Sequence, residues 1–263
     1  MKYAFQNRVV SPNRFIAALR MTILAGVAAI AFPAAFAADA APLFYLAGDS
    51  TMAIKRLDLP ERGWGQGLNG LFKDPAMVQN HAVNGRSTKS FINEGRWSRI
   101  VAALQPGDYV LIQFGHNDEK VESPGLGTNP ATEFRDNLRR FIKEVRAKQA
   151  SPLLATPVAR RKFDKDGTLQ PTHGAYPDAI RAVAAEEKVP LLDLEKATSA
   201  WLQTTGDEPS KKFFMWFEPG AHPLVPRGSK DDTHFVEAGA LHVAELAAAQ
   251  IKEQNLPLAL WLK

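Results

Sequence analysis

The 263-residue sequence predicts an α/β fold with a central, parallel five-stranded sheet. Five short apolar runs alternate with longer helix-like segments, a spacing that calls for right-handed crossovers between parallel strands. Several of the runs are apolar almost throughout, as strands covered on both faces are. Polar, glycine-bearing clusters follow the first three runs, and ligands of parallel sheets bind beyond the carboxyl ends of strands.

The expected strands are 43–47, 77–82, 109–113, 153–155 and 190–194, and the expected helices are 65–72, 97–104, 133–149, 177–188 and 236–251. Residues 119–129 and 211–231 read as long loops, which in compact domains are often functional. Repeats, low-complexity tracts and internal linkers are absent from the sequence. One domain over 38–263 is therefore expected.

Residues 1–37 read as a secretory signal. Lys2, Arg8, Arg14 and Arg20 precede any acid, an apolar run follows, and Ala35-Phe36-Ala37 closes it. The run contains Pro33 and is shorter than the roughly 20 residues of a comfortable membrane span. The expected product is exported, to a periplasm or the cell exterior, with no membrane attachment after cleavage. The chain carries 32 basic and 28 acidic residues, and removing the signal leaves 28 of each. Its basicity therefore gives no reason to expect nucleic acid as a partner. With no cysteine, disulfides, thiolate metal sites and a cysteine nucleophile are all excluded.

The chemistry-bearing residues begin with Ser50, which follows the first strand in Gly48-Asp49-Ser50-Thr51. A serine at a strand-to-helix turn can expose its hydroxyl, though serine also commonly caps helices there. The hydroxyl needs a base, and the base needs orienting. Among six histidines, only His234 has a carboxylate at helical-turn spacing, Asp231, inside Asp231-Asp232-Thr233-His234. Such a carboxylate fixes the imidazole tautomer that a general base requires. Asp232 points elsewhere by its adjacency, and Asp231 could also serve as a helix cap. An ester carbonyl under attack further requires donors aimed at its oxygen. The backbone N–H groups of Ser50 and Gly85 and the side-chain amide of Asn117 can supply them. Taken singly, Gly85 reads equally as a turn glycine and Asn117 as an Asx turn.

In this order, Gly48-Asp49-Ser50, Gly85, Gly115-His116-Asn117-Asp118 and Asp231–His234 resemble the SGNH (GDSL-like) hydrolase superfamily. Within it, the sequence is similar to the rhamnogalacturonan acetylesterases of carbohydrate esterase family twelve. That narrower resemblance rests on Ala47–Met52, Gly63-Trp64-Gly65, Asn84-Gly85-Arg86-Ser87, Glu94-Gly95-Arg96, Gln113–Asp118, Thr156-Pro157-Val158 and Thr172-His173-Gly174. It implies a three-layer α/β/α sandwich, no metal or other cofactor, and a two-step hydrolysis through an acyl-serine. Its substrate would be an acetylated pectic polysaccharide or oligosaccharide. The loop before Asp231 varies within the family, so 211–230 inherits no substrate contacts.

Candidate sugar contacts are Trp64, Trp97 and Trp216, whose faces can stack on sugars, Arg86, which can meet a uronate carboxylate, and His222. Tryptophan is also a common core residue, and Arg86 could instead be a salt-bridged surface arginine. His173 and His242 read as structural. Gly65–Gly70 matches G-x-G-x-x-G but does not follow a strand, against a dinucleotide site. A zinc deacetylase would need three close ligands and leave Ser50 idle. The same motifs would also fit a lipase or thioesterase of the superfamily acting on another small acyl ester. They would fit a non-catalytic carbohydrate-binding relative less well, because binding alone does not need Ser50 and His234. The sequence leaves the oligomeric state open.

Overall fold

The computed structural model describes residues 41–263. The segment read as an export signal lies outside them. Five strands, β1 (Phe44–Gly48), β3 (Val78–Asn80), β4 (Tyr109–Gln113), β5 (Ser151–Ala155) and β6 (Leu191–Leu192), form one parallel sheet in the order β3-β1-β4-β5-β6. These are the five expected strands, with ends displaced by a few residues.

Burial explains why their sequences are apolar throughout. On β1, Phe44 and Leu46 enter one core while Tyr45 and Ala47 enter the other. The first core is closed by α1 (Trp64–Asn69), α6 (Leu194–Thr205) and α8 (Glu237–Glu253), the second by α2 (Thr88–Asn93), α3 (Arg96–Ala103), α4 (Glu133–Ala147) and α5 (Tyr176–Glu187). The result is the three-layer sandwich. Helix α4 is typical of the covering layer. Phe134, Leu138, Phe141, Ile142 and Val145 share its buried face, with Glu133 and Asp136 in its first turn and Arg146 in its last, as the helix dipole favours.

A second, antiparallel sheet goes beyond what the sequence predicts. It joins β2 (Glu61–Arg62), β8 (Ser229–Val236) and β7 (Phe214–Phe217), in the order β2-β8-β7. Both ends of the expected loop 211–231 are thus structured, while 218–228 remains a loop, and α7 (Asp207–Ser210) lies just before it. Helices α2 and α6 are likewise additional. The former is short and polar, starting from a Ser87/Ser90 capping box, and the latter follows β6 after the single residue Asp193.

The Gly63-Trp64-Gly65 motif seats α1 against the turn that carries Ser50. Trp64 N–H donates to Thr51 O at 2.9 Å. A Cβ at Gly63 would lie 2.0 Å from Ala53 O, and one at Gly65 would lie 2.6 Å from Met52 O. Gly67, in the same stretch, faces α8, where a Cβ would meet Ala244 Cβ at 3.2 Å. Gly65 and Gly67 therefore serve close packing. Gly63→Ala is expected to destabilise the fold by about 2 kcal/mol or more, since backbone atoms must move. Urea unfolding of both proteins measures this, and equal midpoints and slopes would contradict it.

Candidate active site

Ser50 sits in a single hydrogen-bonded turn rather than at the start of a helix. Ala53 N–H reaches Asp49 O at 3.0 Å, and the Asp49 carboxylate accepts from Thr51 N–H at 2.9 Å and Thr51 Oγ1 at 2.8 Å. The next helix begins only at Trp64. The turn is short because Asp49 closes it from within, as Asx turns do.

His234 reaches this turn. Its Nε2 lies 2.8 Å from Ser50 Oγ, and its Nδ1 lies 2.7 Å from Asp231 Oδ2. Asp231 Oδ1 accepts the backbone N–H groups of Thr233 (2.8 Å) and His234 (3.0 Å). Burial works against the Asp231 charge, but these hydrogen bonds and the imidazole outweigh it and hold the carboxyl below its ordinary range. The pair meets for a reason different from the expected helical turn. On β8, Asp231 and Phe235 pair with the adjacent residues Met215 and Phe214 of β7, so Asp232, Thr233 and His234 bulge out of the ladder. The bulge, tightened by Asp231's own Asx turn, folds the imidazole back over the carboxylate.

Gly85 and Asn117 lie at the ends of β3 and β4, the two strands that flank β1. Gly85 adopts φ +73°, a left-handed conformation, with open space where a Cβ would be. Neither its N–H nor that of Ser50 has an acceptor among the described residues. Asn117 is buried. Its Oδ1 accepts from Lys120 Nζ at 2.7 Å and its Nδ2 donates to Arg86 O at 3.1 Å, which fixes the amide's orientation and leaves one N–H uncommitted. The Arg86 bond joins the second strand-end loop to the third.

Behind the turn lies a buried polar layer that sequence reasoning left out. Asp49 Oδ2 accepts from Gln113 Nε2 at 3.0 Å and faces His116 Nδ1 at 3.3 Å. Burial opposes the Asp49 charge, yet His116 and the Thr51 hydrogen bonds bring its pKa down to about 2. Burial dominates at His116, lowering it to about 4 against the pull of Asp49. The His116 ring meets the edge of His173, whose Nδ1 and Nε2 lie 3.0 Å from Glu119 Oε2 and 2.9 Å from Val158 O. Asp118 is fully enclosed, accepting from Thr88 N–H and from the hydroxyls of Thr88 and Thr128. Burial pushes its pKa up to about 7 despite those donors.

The candidate sugar contacts fare unequally. Trp64 cannot present a face to substrate: it is fully buried, and its Nε1–H donates to Gln113 Oε1 at 3.2 Å. Trp97 is likewise buried, with its Nε1–H on Glu144 Oε2 at 2.6 Å. Both are core residues because a large apolar ring gains most from full enclosure. Trp216 is half-buried, and its Nε1–H is committed to Asp232 Oδ1 at 2.7 Å. Arg86 is half-exposed, its Nε 3.0 Å from Glu94 Oε2. His222 lines an open groove with Arg62, Trp216 and Phe217, and the lining does not include Ser50, Gly85 or Asn117.

A serine hydroxyl in series with an imidazole and a carboxylate, at the carboxyl edge of a doubly covered parallel sheet, is the arrangement of serine ester hydrolases. Residues 46–240 match the model of the GDSL-like Lipase/Acylhydrolase family, and the chain belongs to that family and is an esterase. It is 45% identical over 215 residues to Rhamnogalacturonan acetylesterase RhgT of Bacillus subtilis, covering 81% of this chain and 91% of that one. Probable rhamnogalacturonan acetylesterase YesY of the same organism is 37% identical over 81% of this chain and 94% of its own length. The crystal structure of protein YxiM from Bacillus subtilis superposes with a TM-score of 0.69 at 30% identity, covering 82% of this chain and 57% of that one.

The enclosed Asp118 predicts a pH signature in stability. Its folded pKa of about 7 lies above the ordinary value of 3.8, so the unfolded chain releases this proton first. Its contribution to stability is greatest below about pH 4, declines from there to about pH 7 and levels off above. Asp118→Asn should flatten that segment of the stability curve. Thermal melting from pH 4 to 8 checks it, and an unchanged slope in the variant would contradict the assignment.

Proposed function

We propose that the protein is an exported carbohydrate O-acetylesterase that removes acetyl groups from an acidic, rhamnogalacturonan-like pectic polysaccharide. The observation that carries the reaction is the unbroken series Asp231–His234–Ser50, with links of 2.7 and 2.8 Å. The Ser50 hydroxyl attacks the acetyl carbonyl carbon while His234 Nε2 takes its proton. Negative charge forms on the carbonyl oxygen, where the N–H groups of Ser50 and Gly85 and the free N–H of Asn117 receive it. The tetrahedral intermediate collapses, and His234 protonates the departing sugar hydroxyl. Water, deprotonated by His234, then attacks the acetyl-serine, and the second intermediate collapses to acetate as His234 returns the proton to Ser50 Oγ. Asp231 keeps the Nδ1 proton in place throughout.

The substrate assignment is supported by the relatives' names and by the motifs shared around the site, 45% identity extending over nine-tenths of RhgT. Arg86 supplies a cation beside Gly85. Its pairing with Glu94 is half-exposed, and such pairs contribute at most about 1 kcal/mol, so a substrate uronate can displace Glu94 at little cost. The leader 1–37 is proposed to direct export, with cleavage after Ala37 giving a product whose mass identifies the new N-terminus.

Ser50→Ala is expected to abolish acetate release from acetylated rhamnogalacturonan while leaving the melting curve intact, and near-normal turnover in that variant would remove Ser50 from its role. Wild-type release should be fastest on rhamnogalacturonan in a panel with acetylated homogalacturonan and xylan; equal or faster release from xylan would count against the pectic assignment. Asn117→Ala should lower kcat by roughly a hundredfold with little change in KM, as loss of one oxyanion donor does. A change of only severalfold would mean that another group fills that position.

A further inference from the structure

The bulge that carries Asp231 and His234 has left its ladder, so its backbone needs partners from elsewhere. Side-chain burial does not supply rigidity here either, because the His234 and Asp231 side chains remain 29% and 35% exposed. The residue between them and the protein body is Asp232, and one residue holds it from two sides. Arg161 N–H donates to Asp232 O at 2.8 Å, and Arg161 Nη1 lies 3.2 Å from Asp232 Oδ1. The other arm of the guanidinium, Nη2, reaches Asp207 Oδ1 at 2.8 Å. Trp216 completes the clamp: its Nε1–H donates to the same Asp232 oxygen, and Arg161 Cζ lies 4.8 Å from its ring centroid. The Arg161 side chain is only 5% exposed, so the guanidinium reaches the two carboxylates, 44% and 40% exposed, from beneath them and is held by packing as well as by the ion pairs. Its Nε is buried with no partner among the described residues, consistent with a side chain held where the clamp needs it rather than where its own hydrogen bonds would be best met.

We infer that Arg161 is a positioning residue, which fastens Asp232 and thereby holds the neighbouring Asp231 and His234 on line with Ser50. This rests on the reading of Ser50, His234 and Asp231 as the reacting series. Arg161 follows β5 and so ties the small antiparallel sheet to the strand-end loops of the large one. Arginine is suited because its planar fork bridges two carboxylates at once, which a lysine ammonium cannot do in the same geometry. Displacing a reacting group by about 1 Å can cost on the order of a hundredfold in rate, so a clamp on an unladdered segment has a direct kinetic consequence.

The test uses the full chain and a small ester, p-nitrophenyl acetate, whose turnover does not depend on carbohydrate contacts. Arg161→Lys is expected to lower kcat by about tenfold or more with KM within about twofold. Trp216→Phe keeps the ring and removes one hydrogen bond from Asp232. It should give a smaller loss in the same parameter and guards against an Arg161 variant that fails to fold. In proton NMR, the downfield signal of the His234 Nδ1–H should broaden or shift in both variants, a change that a merely structural role elsewhere would not produce. Undiminished kcat in folded Arg161→Lys, or a loss confined to KM, would overturn the inference, as would an unmoved proton signal and undiminished kcat in Trp216→Phe. Ser50→Ala and His234→Ala run alongside: activity retained in those two overturns the underlying series, whereas activity lost in them but kept in the clamp variants overturns the clamp alone.

Discussion

The contact between His234 Nε2 and Ser50 Oγ spans 184 residues of sequence, and the architecture is best understood as what holds that 2.8 Å. Ser50 is carried by β1, the second strand of the parallel sheet and flanked on both sides. His234 is carried by a different sheet with antiparallel pairing. The two are joined over a very short path. Glu61 and Arg62 of β2 pair with Val236 and Phe235, directly after His234, and the next two residues, Gly63 and Trp64, lie against the Ser50 turn. The glycine at 63 is therefore set by the site as much as by the fold. Any side chain there would push the small sheet away from the large one, and with it the imidazole from the serine.

Legibility in the sequence follows the strength of the local signal. Strands buried on both faces must be apolar throughout, so β1, β4 and β5 stand out against any background, and α4 and α8 announce themselves by their buried stripes. The strands β2 and β8 resist reading for the opposite reason. Glu61-Arg62 and Ser229–Val236 are largely polar and half-exposed, so neither alternation nor apolar content marks them. The spacing of Asp231 and His234 predicts that they meet, but through a helical turn where the fold uses a bulge. A helical turn and a bulge that bypasses three residues both bring positions i and i+3 together, and sequence spacing alone does not distinguish them. Trp64 and Trp97 show the converse limit. Tryptophan near a carbohydrate site invites a stacking role, but burial in the folded chain cannot be seen in one residue's identity.

The site's polar chemistry is arranged by subtraction. An unpaired, partly enclosed N–H costs about 1–3 kcal/mol, so most backbone donors near the Ser50 turn are taken up by the protein. Asp49 takes Thr51 N–H, Asp118 takes Thr88 N–H at the start of α2, and Arg86 O takes one hydrogen of the Asn117 amide. The donors left without an acceptor among the described residues at the ends of the three adjacent strands include the N–H groups of Ser50 and Gly85 and one hydrogen of the Asn117 amide. On this view Asp49 and Asp118 matter less for their own charge than for where they leave the neighbouring donors. Asp49, kept ionised, accepts from residue 51 and so leaves residue 50 free, whereas at Asp118 burial, with no ion-pair partner among the described residues, outweighs donors that favour the charged form and raises the pKa to about 7. On the proposed reading of the site, an oxyanion would meet donors that are already oriented and not committed elsewhere, so that little reorganisation would be needed as its charge develops.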